Sequence, residues 1–202
     1  MPKVSAGTLR PLERVMIFID GGHLRKIVSK LCGDDSIDYG KLLNELLKMY
    51  DTLPISPFKA DLIRAYYYDA IVNEKDEEFR KQNEYFESLI RMRTQRCTVR
   101  LGHLVRSARK RLKQKGVDIL VAIDALTMAY QNHYNTGVFF LGDADFVPLI
   151  EAIKDAGKKT IGVFYAPNSS VELMKACDMR IYLNEQDLKE FHLRKSGAAK
   201  SK

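Results

Sequence analysis

Two rhythms of apolar residues alternate along this 202-residue chain. Runs that are continuously apolar, or apolar at every second position, fall at 14–19, 62–68, 97–105, 137–141, 160–165 and 180–183, bounded by Gly, Pro, Asn or Asp. Such runs predict strands. Between them, apolar positions three and four apart predict helices at roughly 23–31, 39–50, 75–92, 118–134, 146–156 and 169–177. In the third helix, Phe79, Phe86, Leu89 and Ile90 keep the helical spacing, and Glu74, Asp76, Glu77 and Glu78 gather at its start, where the helix dipole favours acids. Regular alternation of strand and helix predicts an α/β fold, a mostly parallel sheet with helices on both faces. The runs Val15–Ile19 and Val138–Leu141 have no polar side at all, so both should be central strands, covered above and below, and neighbours.

Acidic residues stand where these buried runs end. Asp20 follows Ile19, and Asp143 and Asp145 follow Leu141 in Gly142-Asp143-Ala144-Asp145-Phe146. Open parallel sheets bind ligands beyond the carboxyl ends of their strands. With Asp118 and Asp124, four or five carboxylates would meet in one cleft, each raising the pKa of the others unless cations neutralise them. Ligands that are all oxygen select hard ions such as Mg2+ or Mn2+.

Each carboxylate also has a plainer role open to it. Asp20 can cap a helix that begins near His23, and Gly21-Gly22 permits a sharp turn or a close ligand. One of Asp143 and Asp145 should cap the helix carrying Val147, Ile150 and Ile153, with Gly142 permitting a tight turn before it. Asp118, after Lys115-Gly116-Val117, reads as the N-cap of a helix running toward Tyr134. Asp124 lies about 240° further around that helix, so the two do not share a face. Were the residues before Asp124 extended, Asp124 would instead be both cap and ligand; Asp118 ranks ahead. Asp69, after Tyr66-Tyr67-Tyr68, reads as a strand-to-loop turn residue, and the tyrosines as strand residues with alternate rings buried.

Length favours one domain at 13–191, between a flexible segment 1–12 and a disordered basic tail 192–202. No stretch is long and apolar enough to span a membrane or serve as a signal peptide, which predicts a cytoplasmic protein with no membrane partner. Cys32, Cys97 and Cys177 form no paired motif and read as buried thiols, and the four histidines lack zinc spacing. Neither G-x-x-x-x-G-K-[ST] nor G-x-G-x-x-G occurs, so nucleotide binding has no motif to rest on. Charge is unevenly spread. From Arg91 to Lys115 there are ten basic residues and no acid, more than the +7 net charge of the whole chain. That window points to a polyanion. Arg106, Arg109, Lys110, Arg111, Lys113 and Lys115 are the predicted nucleic-acid contacts.

Three segments in a fixed order complete the reading: Phe18-Ile19-Asp20-Gly21-Gly22-His23, Lys115-Gly116-Val117-Asp118-Ile119 with Asp124, and Gly142-Asp143-Ala144-Asp145-Phe146-Val147-Pro148-Leu149. Together they resemble the NYN domain, the LabA-like branch of the PIN-like nuclease superfamily, over roughly residues 14–184. The resemblance implies a Rossmann-like, PIN-like sheet, an acidic pocket at its carboxyl edge with Mg2+ or Mn2+ bound, and endonucleolytic hydrolysis of RNA that leaves a 5′-phosphate and a 3′-hydroxyl. It places the catalytic, metal-holding aspartates at Asp20, Asp118, Asp143 and Asp145, with Asp124 and His23 behind them. RNA is the implied partner, single-stranded DNA a second candidate polyanion, and a homo-oligomer stays open. Two positions depart from the family pattern: His23 where Asn is usual and Leu141 where Ser is usual. They motivate the alternative of a weakly active or inactive RNA-binding or adaptor protein that retains the metal pocket. A phosphatase of the haloacid dehalogenase type would need an acid two residues after Asp20, where this chain has Gly22.

Overall fold

Strand β1 (Leu12–Asp20) runs through the middle of the sheet, and every residue from Val15 to Asp20 is buried. Alternation of side chains across a strand sends Val15, Ile17 and Ile19 into one apolar cluster, and Met16 and Phe18 into another on the opposite face. The computed structural model describes residues 11–53, 58–71, 96–106 and 112–192, with backbone alone at 105–106 and 112–115. Within these, β2 (Lys59–Ile71) and β5 (Thr136–Phe140) flank β1, both parallel to it. The full order is β4 (Leu112–Lys115), β3 (Cys97–Arg106), β2, β1, β5, β6 (Lys159–Phe164) and β7 (Met179–Tyr182). All neighbouring pairs are parallel except β3 with β4. The strand order reverses at the β1/β5 boundary, so that boundary is the switch point where such sheets open a crevice.

Helices α1 (Gly21–Cys32), α2 (Tyr39–Asp51) and α6 (Glu185–Phe191) seal one face through Leu24, Ile27, Leu42, Leu46, Leu188 and Phe191. Helices α3 (Val117–Tyr130), α4 (Val147–Asp155) and α5 (Val171–Ala176) seal the other through Val121, Ala125, Ile150, Ile153 and Leu173. Aromatic rings tie the sheet together across strands. Phe18 stacks on Phe139 at 5.2 Å and on Tyr66 at 5.9 Å, with Tyr134 edge-on at 5.7 Å. Truncating so enclosed a ring to alanine costs about 3–5 kcal/mol, so this cluster fixes the platform from which the strand ends project.

Several expectations change. All three of Tyr66, Tyr67 and Tyr68 are buried, because β2 is itself covered on both faces. The strand does not stop at Asp69, which lies inside β2 with no exposure. Cys177 is buried, but Cys32 and Cys97 are only half-buried. The edge strand β4 and helix α6 were not foreseen. His192, the first residue of the expected tail, is seated: its Nε2 lies 2.8 Å from Asp34 Oδ1, and its backbone bridges to Ile37. The helix expected at 75–92, the residues Arg109, Lys110 and Arg111, and the tail beyond His192 lie outside the described residues. No helix among the described residues is long and apolar enough to cross a membrane.

Candidate functional site

At the β1/β5 switch point a cleft of about 520 Å³ opens, lined by Asp20, Gly22, His23, Arg25, Lys26, Ser29, Asp35, Leu104, Gly116, Val117, Asp118 and Asp143. Three of the four aspartates expected to be catalytic therefore share one wall-to-wall space. Asp20 is only 7% exposed, and its Oδ1 accepts the His23 backbone N–H at 2.9 Å. It is both the cap of α1 and a residue of the cleft wall.

Helix α3 presents Asp118 differently from expectation. Gly116, with φ of 85°, is the N-cap, and Asp118 sits in the first turn, exposed, with no capping bond to spend its carboxylate on. The same holds at β5. Asp143 precedes a 3₁₀ turn, Ala144–Phe146, without a side-chain cap bond, and the N-cap of α4 is Phe146. Neither Asp143 nor Asp145 is consumed as a cap, because the 3₁₀ turn and Pro148 already start the helix. Asp145 is exposed and stands outside the cleft lining, although its charge reaches Asp118. Asp124 does not join them. Its Oδ2 accepts the Tyr68 hydroxyl at 3.1 Å and the Arg100 Nε at 3.2 Å, so it is a neutralised carboxylate on the sheet-facing side of α3.

The electrostatics separate these groups further. Burial pushes the Asp20 carboxyl up to about 6, against the His23 N–H, and the charges of Asp118 and Asp69 add to the rise. Asp118 is also raised, by burial and then by Asp143 and Asp145. Lys26 opposes both rises from the cleft wall. His23 is pushed down by burial, against the pull of Asp143, and is held neutral near pH 7. Its Nε2 is buried with no hydrogen-bond partner among the described residues.

Packing explains two glycines beside the aspartates. A Cβ on Gly142 would sit 2.1 Å from the His23 ring, and one on Gly21 would sit 2.0 Å from the Tyr67 ring. Neither has positive φ, so these glycines make room for rings and the predicted tight turns are not their reason. His23, one departure from the family pattern, is thus matched to Gly142. Leu141, the other, is fully buried in the α3/α4 cluster and lines no part of the cleft.

Sequence reasoning missed Arg25, Lys26, Ser29 and Asp35. A signal was present: Gly22 and Lys26, and Arg25 and Ser29, are each four apart after the strand-end aspartate and so fall on one helix side. Two arginines of the basic window make ion pairs within the fold. Arg96 pairs with Asp61 at 3.3 Å and Arg100 with Asp124 at 3.2 Å, so both are committed to acids of the fold. The strands that carry Arg106, Lys113 and Lys115 do border the cleft: Lys115 pairs with His103 across β3 and β4, and Leu104 and Gly116 line the space.

The donor set of the cleft suits a hard cation, since its carboxylates repel one another and are all oxygen. Among the described residues, however, no three His, Cys, Asp or Glu side chains converge on a single ion position.

The profile of the NYN domain matches residues 14–184. An uncharacterized protein of Methanocaldococcus jannaschii, MJ0482, is 33% identical over 70 residues, which is 35% of this chain and 29% of that protein; the chain spans under a third of that relative's length. A crystal structure of a protein of unknown function, VPA0982 from Vibrio parahaemolyticus, superposes with a TM-score of 0.61 at 18% identity, covering 85% of this chain and 93% of that one. That likeness shows the α/β fold. The structure of Sa239 superposes only at a TM-score of 0.31, with 10% identity over 88% of this chain and 67% of that one.

Proposed function

The chain belongs to the NYN domain family of PIN-like nucleases, and from that premise we propose that it is a divalent-metal-dependent ribonuclease acting internally on RNA. The carrying observation is Asp20, buried at the switch point, pushed up to about 6 and sharing one cleft with Asp118 and Asp143. Burial and neighbouring carboxylates disfavour the ionised forms of Asp20 and Asp118, a cost that a bound cation would offset.

Asp20, Asp118 and Asp143 would hold Mg2+ or Mn2+, with Asp145 adding its field from the rim. The bound ion would supply Lewis acidity and acidify the attacking water. The chain's own residues do the rest. Gly22, in the first turn of α1, leaves room for the ester beside Asp20, and Lys26, exposed on the cleft wall, offsets phosphate charge. Neutral His23 pins the Asp143 loop through Gly142 and carries no proton to donate as a cation at neutral pH. Water replaces the 3′-oxygen at phosphorus, the P–O3′ bond breaks, and the products are a 5′-phosphate and a 3′-hydroxyl.

A nuclease assay on structured and single-stranded RNA, with Mn2+ or Mg2+, tests this. Cleavage should disappear in EDTA and in Asp143→Asn. RNA binding without cleavage across the panel would favour the adaptor alternative, and undiminished cleavage in EDTA would refute the metal mechanism.

A further inference from the structure

One buried ion pair stands beside the acidic cleft and its construction is not that of a stability device. Asp69, fully buried within β2, takes the Arg25 guanidinium in a two-point grip: Nε donates to Oδ2 at 2.8 Å and Nη2 to Oδ1 at 2.7 Å. The carboxylate is itself fixed. The Tyr67 hydroxyl donates to Oδ2 at 2.8 Å, the Ala70 N–H donates to Oδ1 at 2.8 Å, and the Tyr39 hydroxyl is 2.8 Å from that of Tyr67. Burying such a pair contributes little net stability compared with apolar packing. What the network supplies is direction.

The remaining terminal nitrogen of Arg25 leads the other way. Nη1 donates to Asp35 Oδ2 at 2.9 Å, and the Asp35 side chain is 51% exposed, on the loop after α1. Arg25 and Asp35 both line the cleft, and Asp69 is near enough to Asp20 for its charge to be felt there. A guanidinium with one edge locked and the opposite edge held by a solvent-exposed carboxylate matches the geometry by which arginine receives phosphate oxygens.

We propose that Arg25 is a phosphate-receiving residue of the cleft, aimed by Asp69, and that Asp35 occupies it in the free protein until an RNA phosphate displaces it. This rests on the reading of the cleft as an RNA site. Asp35 is thus a built-in competitor for substrate, and Asp69 a positioning residue.

Affinity of the full chain for a labelled single-stranded oligoribonucleotide, measured in Mg2+ in the Asp143→Asn background, separates the possibilities. Asp35→Asn leaves the buried network untouched and should tighten binding about threefold, the scale of an exposed ion pair. Arg25→Lys keeps a cation over Asp69 but loses the fork; it should weaken binding about tenfold with an unchanged circular dichroism spectrum. In the Arg25→Lys background, Asp35→Asn should no longer tighten binding. Equal tightening in both backgrounds would reduce Asp35 to bulk charge and overturn the proposal, as would an unchanged or weaker affinity in Asp35→Asn alone. A chain that cleaves RNA but gives either of those results keeps the nuclease reading and loses this one; a chain that neither binds nor cleaves RNA loses both.

Discussion

Strand β1 carries a carboxylate near each end, Glu13 and Asp20, and both residues are 7% exposed. Burial pushes each toward a higher pKa, but the outcomes are opposite. For Glu13 the Lys159 ammonium at 2.8 Å and the Tyr50 hydroxyl at 2.6 Å outweigh burial, and its pKa falls below the usual range. Asp20 has one backbone N–H and the repulsion of neighbouring aspartates, and it rises to about 6. Depth in the fold therefore does not decide whether a buried acid is held ionised; the partner does. Asp69 with Arg25 and Asp124 with Arg100 have cation partners as Glu13 does, while Asp118 and Asp143 share the cleft with Asp20.

The largest expected effect lies in cleavage. Replacing Asp143 or Asp118 by Asn should lower the Mn2+-dependent rate by about 100-fold or more, the scale on which one charge-stabilising group acts, while Glu13→Gln leaves kcat within about twofold. A fall in kcat of equal size in Glu13→Gln would erase the distinction between the two ends of the strand.

Stability should move the opposite way. An ionised Asp20 in the metal-free protein is unfavourable, since its folded pKa of about 6 lies above the unfolded value of about 3.9. Its contribution to stability is fully present below pH 4 and is lost as pH rises through 6, a change of about 3 kcal/mol. Asn retains the capping acceptor for His23 N–H without the charge. Asp20→Asn should thus be inactive yet raise the metal-free Tm at pH 7.5 by about 6–12 °C, and that gain should shrink toward pH 4. A thermal scan across pH without metal would show it; a lower Tm at pH 7.5 would mean that Asp20 is compensated by something other than a bound cation.

How much of this could be read before the fold was seen depends on how local the cause is. The neighbouring of β1 and β5 followed from two apolar runs with no polar side, and the gathering of Asp20, Asp118 and Asp143 followed from their places at strand and helix ends. The division among carboxylates did not. Arg25 meets Asp69 across 44 positions of sequence and Lys159 meets Glu13 across 146, and no local pattern announces such partners. Asp69 therefore read as a turn residue, although β2 runs on past it. Strand β4, Leu-Lys-Gln-Lys, lacks an apolar period because an edge strand has little to bury.

Glu13→Gln sharpens the comparison from the stable side. The ionised form of Glu13 is favoured in the fold, so its contribution is present above the unfolded pKa of about 4.3 and is lost as pH falls through its lower folded value. At pH 7 the substitution should cost about 1–2 kcal/mol, because it leaves Lys159 without its charge partner and weakens the Tyr50 bond. Urea titration reads this as a lower midpoint at constant slope. A neutral result would show that the half-exposed Lys159 is as well served by water.

The smallest effect belongs to Asp124, and it decides which aspartate of α3 belongs to the cleft. Asp118 and Asp124 stand on different sides of that helix, one exposed in its first turn at the cleft, the other 17% exposed and bonded to Tyr68 and Arg100. Asp124→Asn keeps the acceptor for the Tyr68 hydroxyl and loses an ion pair with a half-exposed arginine, which is worth under about 1 kcal/mol. Cleavage by Asp124→Asn should then stay within about threefold of wild type, with the same dependence on Mn2+ concentration, while Asp118→Asn is strongly impaired. If the two aspartates exchanged these roles, a carboxylate with a cation partner would be serving the chemistry, and the contrast between the two ends of β1 would lose its predictive use.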